Sequence, residues 1–193
     1  MMSHRATDIL AFWFGSSDDP NFGKSQKSWF AKDPQFDRTI RSRFLGDYEK
    51  AAREELSSWK DAPHSALALI LLLDQFSRNL FRGSSRAFAT DAQALETAQW
   101  AIERQFDRAL LPVQRWFVYL PFEHSENIED QHRSIELFQQ LEDDPDSTST
   151  IDYAIRHFQV IEQFGRFPHR NAILGRESTP GELAFLQEPG SSF

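Results

Sequence analysis

The sequence predicts an all-α domain, and three observations carry that prediction. Apolar residues recur at three- and four-residue spacing along most of the chain, no stretch alternates apolar with polar long enough for a strand, and helix start and stop signals punctuate the pattern. The 193 residues form one domain, long enough to bury about two thirds of the surface an unfolded chain exposes. With 40% apolar and 26% charged residues, eighteen Phe and five Trp, the composition excludes a disordered or low-complexity polymer.

The elements follow in order. A first helix covers Thr7 to Phe14 and stops at Gly15, and Ser16 to Lys27 reads as a loop. Asp33 followed by Pro34 is an N-cap and first helical position, opening a helix whose Phe36, Ile40, Phe44 and Tyr48 form an apolar stripe. Pro63 begins the next helix, apolar on every face from Ala66 to Leu73 and so expected at the centre. Thr90-Asp91-Ala92-Gln93 matches a capping box, with Leu95, Ala98, Ile102 and Phe106 behind it. Pro112 starts an aromatic helix through Trp116 and Tyr119, and Asn127 caps the one carrying Ile128, Ile135, Leu137 and Phe138. After a polar loop from Asp143 to Thr150, Ile151 to Phe164 is periodic and Gly165 stops it. Pro168 restarts a helix of one or two turns ending at Gly175. Thr179-Pro180-Gly181-Glu182 is a full capping box, and the tail frays from about Pro189. About eight helices joined by short loops make an antiparallel array, a bundle or stacked hairpins.

Composition also restricts function. The apolar run Ala66 to Leu73 is far too short to cross a membrane, and the N-terminus lacks a signal peptide's pattern. Cys is absent, removing disulfides and thiol chemistry and leaving the cytoplasm as the simplest compartment. A net charge of -8 argues against nucleic acid as the partner. No P-loop, dinucleotide fingerprint, nucleophile elbow or zincin motif occurs, so no cofactor is expected.

Polar residues concentrate in three segments. At the end of the central helix Asp74, Arg78 and Arg82 fall on one ridge about 12 Å long, with Gln75 and Asn79 on the next. They project into a pocket, pair with neighbouring helices, or emerge into water with the final turn, and any buried member needs a partner because an unpaired buried ion costs several kcal/mol. Pro121-Phe122-Glu123-His124-Ser125-Glu126 places two carboxylates and an imidazole at what reads as a helix start. His124 with Glu123 or Glu126 has the composition of a general acid/base pair and is the candidate catalytic residue. Capping is the alternative for the two Glu, and the absent His-x-x-x-His and Glu-x-x-His spacings argue against a metal. In the third segment, Arg166, His169 and Arg170 surround the helix start at Pro168, an anion site or a charge-paired loop.

These segments resemble an uncharacterised, mainly bacterial family, domain of unknown function nine-two-four, placed among tetratricopeptide-like helical folds. The resemblance rests on Ile9 to Gly15, Trp29-Phe30 with Phe36-Asp37, Leu71 to Asn79, and Ala87 to Asp91. It continues through Pro121 to Glu126 with Gln131, Phe164 to Asn171, and Gly175 to Thr179. It implies stacked helical hairpins and transfers no reaction. Ser77 stands where that pattern usually has Pro, a change expected to leave the helix straighter. Two functions are expected, the first from the chemistry of the polar residues and the second from the fold. In one, Asp74, Arg78, Asn79, Arg82, Glu123, His124, Arg166, His169 and Arg170 line a site for a small anionic molecule. In the other, the chain is a scaffold for a peptide or protein and its polar motifs are internal staples.

Overall fold

The computed structural model describes residues 3–191, and every regular element among them is helical. The helices are α1 (His4–Phe14), α2 (Pro34–Ala52), α3 (Pro63–Ile70), α4 (Ser77–Leu80), α5 (Asp91–Glu103), α6 (Pro112–Glu123), α7 (Ile128–Gln139), α8 (Thr148–Phe164) and α9 (Pro180–Phe185). A π-helical stretch, Leu71–Phe76, joins α3 to α4 without a break, so the two form one rod and the helices number about eight.

That rod is the axis of the core. Every residue from Ala66 to Leu73 is at most 3% exposed, because α1, α5 and α6 pack on α3 while α2 packs on α4. The stripe on α2 buries Ile40, Phe44 and Tyr48, with Phe44 against Phe76 and Tyr48 against Phe81. Trp13, Trp29, Phe36, Phe76 and Phe117 add an aromatic layer with ring centroids 5.0 to 6.2 Å apart, and the Trp29 indole donates to the Trp13 carbonyl at 2.9 Å. Further along the chain, α6, α7 and α8 pack consecutively. With one rod touching several helices at once, these contacts do not establish a row of stacked hairpins.

Several local signals act as expected. Asp33 accepts from the Gln35 and Phe36 amides, Gly165 ends α8 at φ 68°, and Thr179 with Glu182 forms a reciprocal capping box. Others differ. Ser3 caps α1, so that helix begins at His4 rather than Thr7. No capping box forms at Thr90, whose buried hydroxyl instead donates to the Leu73 carbonyl, while Gln93 reaches the Ala52 carbonyl. Ser77 lies at a change of helix type. The π-helical stretch ends immediately before it, and the Asp74 carbonyl accepts from Ser77 Oγ at 2.8 Å and Arg78 Nη1 at 2.7 Å. At the C-terminus Ser191 is buried and donates to the Leu186 carbonyl; the remainder of the expected tail lies outside the described residues.

Candidate functional site

The centre is Asp74, fully buried where the π-helical stretch turns its side chain toward the end of α6. Its Oδ1 lies 2.7 Å from His124 Nδ1 and 3.1 Å from Arg78 Nη1, and its Oδ2 accepts from Gln75 Nε2 at 2.6 Å. Burial alone would raise this carboxyl, but the Arg78 guanidinium and His124 hold it well below the usual carboxylate range. An ionised carboxylate only accepts, so Nδ1 of His124 carries the proton and donates. Burial and then Arg78 push the imidazole pKa down, against the pull of Asp74, so the ring is neutral near pH 7. Nε2 makes no hydrogen bond among the described residues, and the His124 side chain is 14% exposed.

Glu123 and His124 close α6 instead of opening a helix: Glu123 is its last residue and His124 its C-cap. Gln131 of α7 fixes this ending, its buried amide donating to the Glu123 carbonyl at 2.6 Å and the Ser125 carbonyl at 2.7 Å. Glu123 is buried, with Oε1 3.1 Å from His157 Nδ1 and Oε2 lacking a hydrogen-bond partner among the described residues. Burial, aided by the Asp74 charge, pushes its pKa up to about 8. His157, driven down to about 3 chiefly by burial, is neutral beside it and also bonds the Tyr153 carbonyl.

Asp91, the first residue of α5, ties in the third segment. Its carboxylate takes Arg78 in a two-pronged contact, Nη1 at 2.9 Å and Nη2 at 3.1 Å, and Arg170 Nη1 approaches it at 3.5 Å. Arg170 is 7% exposed, with its guanidinium carbon 4.7 Å from the Phe88 ring centroid and 4.5 Å from that of Phe167. Its Nε has no acceptor among the described residues. Burial and then the Arg78 charge pull its pKa down to about 10. His169 packs against Phe167 at 5.6 Å, and burial with Arg170 and His124 nearby lowers it to about 4.

The structure therefore gathers Asp74, Arg78, Glu123, His124, His169 and Arg170. It places the other three expected residues elsewhere. Asn79 and Arg82 both bind Asp37 on α2, at 2.8 Å and at 2.9 and 3.0 Å, because the helix ends at Leu80 and the ridge with it. Arg166 follows the left-handed turn at Gly165 and forks onto Glu182 of α9 at 2.6 and 2.8 Å. It does not join Arg170 around a helix start, since Pro168–Arg170 is a single 3-10 turn. Glu126 is no helix cap either: it holds Arg176 at 2.6 and 2.9 Å and accepts from the Phe167 amide at 2.8 Å. Asp91, His157 and Gln131 are members that residue reasoning did not assign. Asp91 reads as part of a capping box, Gln131 is signalled only by the family resemblance, and His157 is a lone imidazole on α8.

Two surface clefts, of about 130 and 210 Å³, are lined by other residues, among them Lys60 and Gln93 in one and Arg108 and Arg133 in the other. Among the described residues no three His, Asp or Glu side chains converge as a metal site would require, and no helix is long and apolar enough to cross a membrane.

The model of a family described as "Bacterial protein of unknown function (DUF924)" matches residues 9–190. The chain belongs to that family. It is similar to the solved "Structure of Protein of Unknown Function ATU0120 from Agrobacterium tumefaciens", at 43% identity and a TM-score of 0.84, over 95% of this chain and 97% of that one. No curated protein matches. Membership in DUF924 accounts for the fold, and the reading of the site rests on its chemistry.

Proposed function

We propose that this DUF924 protein binds a small anionic molecule, a carboxylate or phosphate, where Arg170, Arg78 and His124 meet. The observation that carries the reading is Arg170. Aromatic rings cover the guanidinium, so its hydrogen bonds run in its own plane. The nearest carboxylate, Asp91, is already forked onto Arg78, and Nε has no acceptor among the described residues. A buried cation with this little compensation favours an added anion, and a guanidinium edge fits carboxylate or phosphate oxygens.

The second reading, a tetratricopeptide-like peptide or protein scaffold with internal staples, draws on the other charged pairs. Arg82–Asp37, Arg166–Glu182 and Arg176–Glu126 each close two-pronged bridges between distant segments. Thermal melts with and without inorganic phosphate or acetate separate the two. For the anion site, phosphate or acetate raises the wild-type melting temperature, and Arg170→Gln melts close to wild type while losing that increment, about 2.7 kcal/mol at a hundred times the Kd. A strongly destabilised Arg170→Gln, with no anion stabilising the wild type, leaves the scaffold reading ahead.

A further inference from the structure

We propose that His124 is the general base of a proton-transfer centre acting on the bound anion, with Asp74 as its positioning residue and Nε2 as the reacting atom. This deepens the anion-site reading and rests on it. Three observations support it. The 2.7 Å contact with Asp74 fixes the proton on Nδ1 and leaves the lone pair on Nε2. That nitrogen has no hydrogen-bond partner among the described residues and belongs to a side chain that retains exposure, so it is presented rather than consumed. The ring is also over-determined from behind: the Gln131 amide holds the carbonyls on either side of it, and Arg78 and Gln75 hold Asp74. A merely structural imidazole needs no such support on one side with the other left open.

In the step itself an O–H or C–H bond of the substrate breaks, the proton goes to Nε2, and the bonding electron pair stays on the substrate oxygen or carbon. The imidazolium is then balanced by Asp74, while the anionic part of the substrate is met by Arg170. Neither nearby serine offers a nucleophile for a covalent route, because Ser77 Oγ is committed to the Asp74 carbonyl and Ser125 Oγ to Asp130. The chemistry assigned is therefore direct proton abstraction, with no group transferred to the protein.

The test uses the full chain and needs no identified substrate. Histidine side-chain nitrogen NMR at pH 7 should show His124 protonated at Nδ1 and bare at Nε2. Carbethoxylation by diethyl pyrocarbonate, read by mass spectrometry, should modify His124 at least about tenfold faster than buried His157, with saturating inorganic phosphate slowing the reaction by a similar factor. The charged and titratable groups facing His124 are Arg78, Asp74, Asp91, His157 and His169. Of these, Asp74→Asn removes the charge that favours the imidazolium, so the pH midpoint of His124 modification should move down, as the 2.7 Å contact requires. A proton found on Nε2, or a His124 as unreactive as His157, overturns the proposal, and both results are read on the wild type whether or not Asp74→Asn folds. A reactive Nε2 in a protein that no anion stabilises supports the base assignment and fails the binding reading alone.

Discussion

Arg78 and Arg82 are one helical turn apart in sequence and differ in what their removal should cost. Arg78 serves Asp91, the Asp74 carboxylate and the Asp74 carbonyl from a side chain 20% exposed. Replacing it with Gln leaves buried Asp74 with only His124 and Gln75, and Asp91 with only the longer contact to Arg170, and should cost about 3 kcal/mol. Arg82 binds a single partner, Asp37, from a side chain 39% exposed, and Arg82→Gln should cost no more than about 1 kcal/mol. Urea denaturation of both variants checks the contrast, and equal losses would show that the Arg78 network is not a buried one.

At the level of elements, one backbone position sends the third polar segment in two directions. Gly165 closes α8 at φ 68°, and a Cβ built there would meet no atom within 4 Å. The left-handed conformation is therefore the whole reason for glycine, and Gly165→Ala should lose about 1 kcal/mol through backbone strain without a clash. If the loss in chemical denaturation is much larger, the turn is coupled to the Arg166–Glu182 tie or to the Arg170 stack. Gln131 plays the matching part at the end of α6. Gln131→Ala releases one buried and one partly buried carbonyl and should cost about 2 kcal/mol, with the His124 nitrogen signals broadening as the turn loosens.

For the whole molecule the buried groups set the pH dependence of stability, and their signs oppose one another. Glu123, raised to about 8, binds more protons folded than unfolded above the ordinary carboxylate range, so stability falls as pH rises toward 8. The histidines act the other way. His157 at about 3 and His169 at about 4, with His124 also lowered, bind fewer protons folded than unfolded, so stability rises as pH increases to about 6.5 and is lost on acidification. Between about pH 6.5 and 8 the Glu123 effect remains, on the order of 2 kcal/mol across that window. Melting temperatures of the wild type should decline across that window while those of Glu123→Gln stay flat. Parallel declines would place the ionisation on another group.

The sequence by itself determined the helices, the central apolar rod and most of the caps, because these follow from periodicity and from contacts within four residues. Ala66 to Leu73 had to be buried, Asp33-Pro34 had to start a helix and Gly165 had to end one. It also marked Asp74, Arg78, His124 and Arg170 as polar residues beside buried stretches. What it could not fix was which charge meets which. Asp74 and His124 are 50 residues apart, and Arg170 reaches Asp91 from another part of the chain. The same local signature put Arg82 and Arg166 into bridges with Asp37 and Glu182. The tertiary structure decided among these partners through two local departures: the π-helical stretch that orients Asp74, and the helix ends at Leu80 and Gly165 that turn Arg82 and Arg166 away. Pairing of buried charges depends on where long-range packing leaves each side chain, and a short window of sequence does not contain that distance.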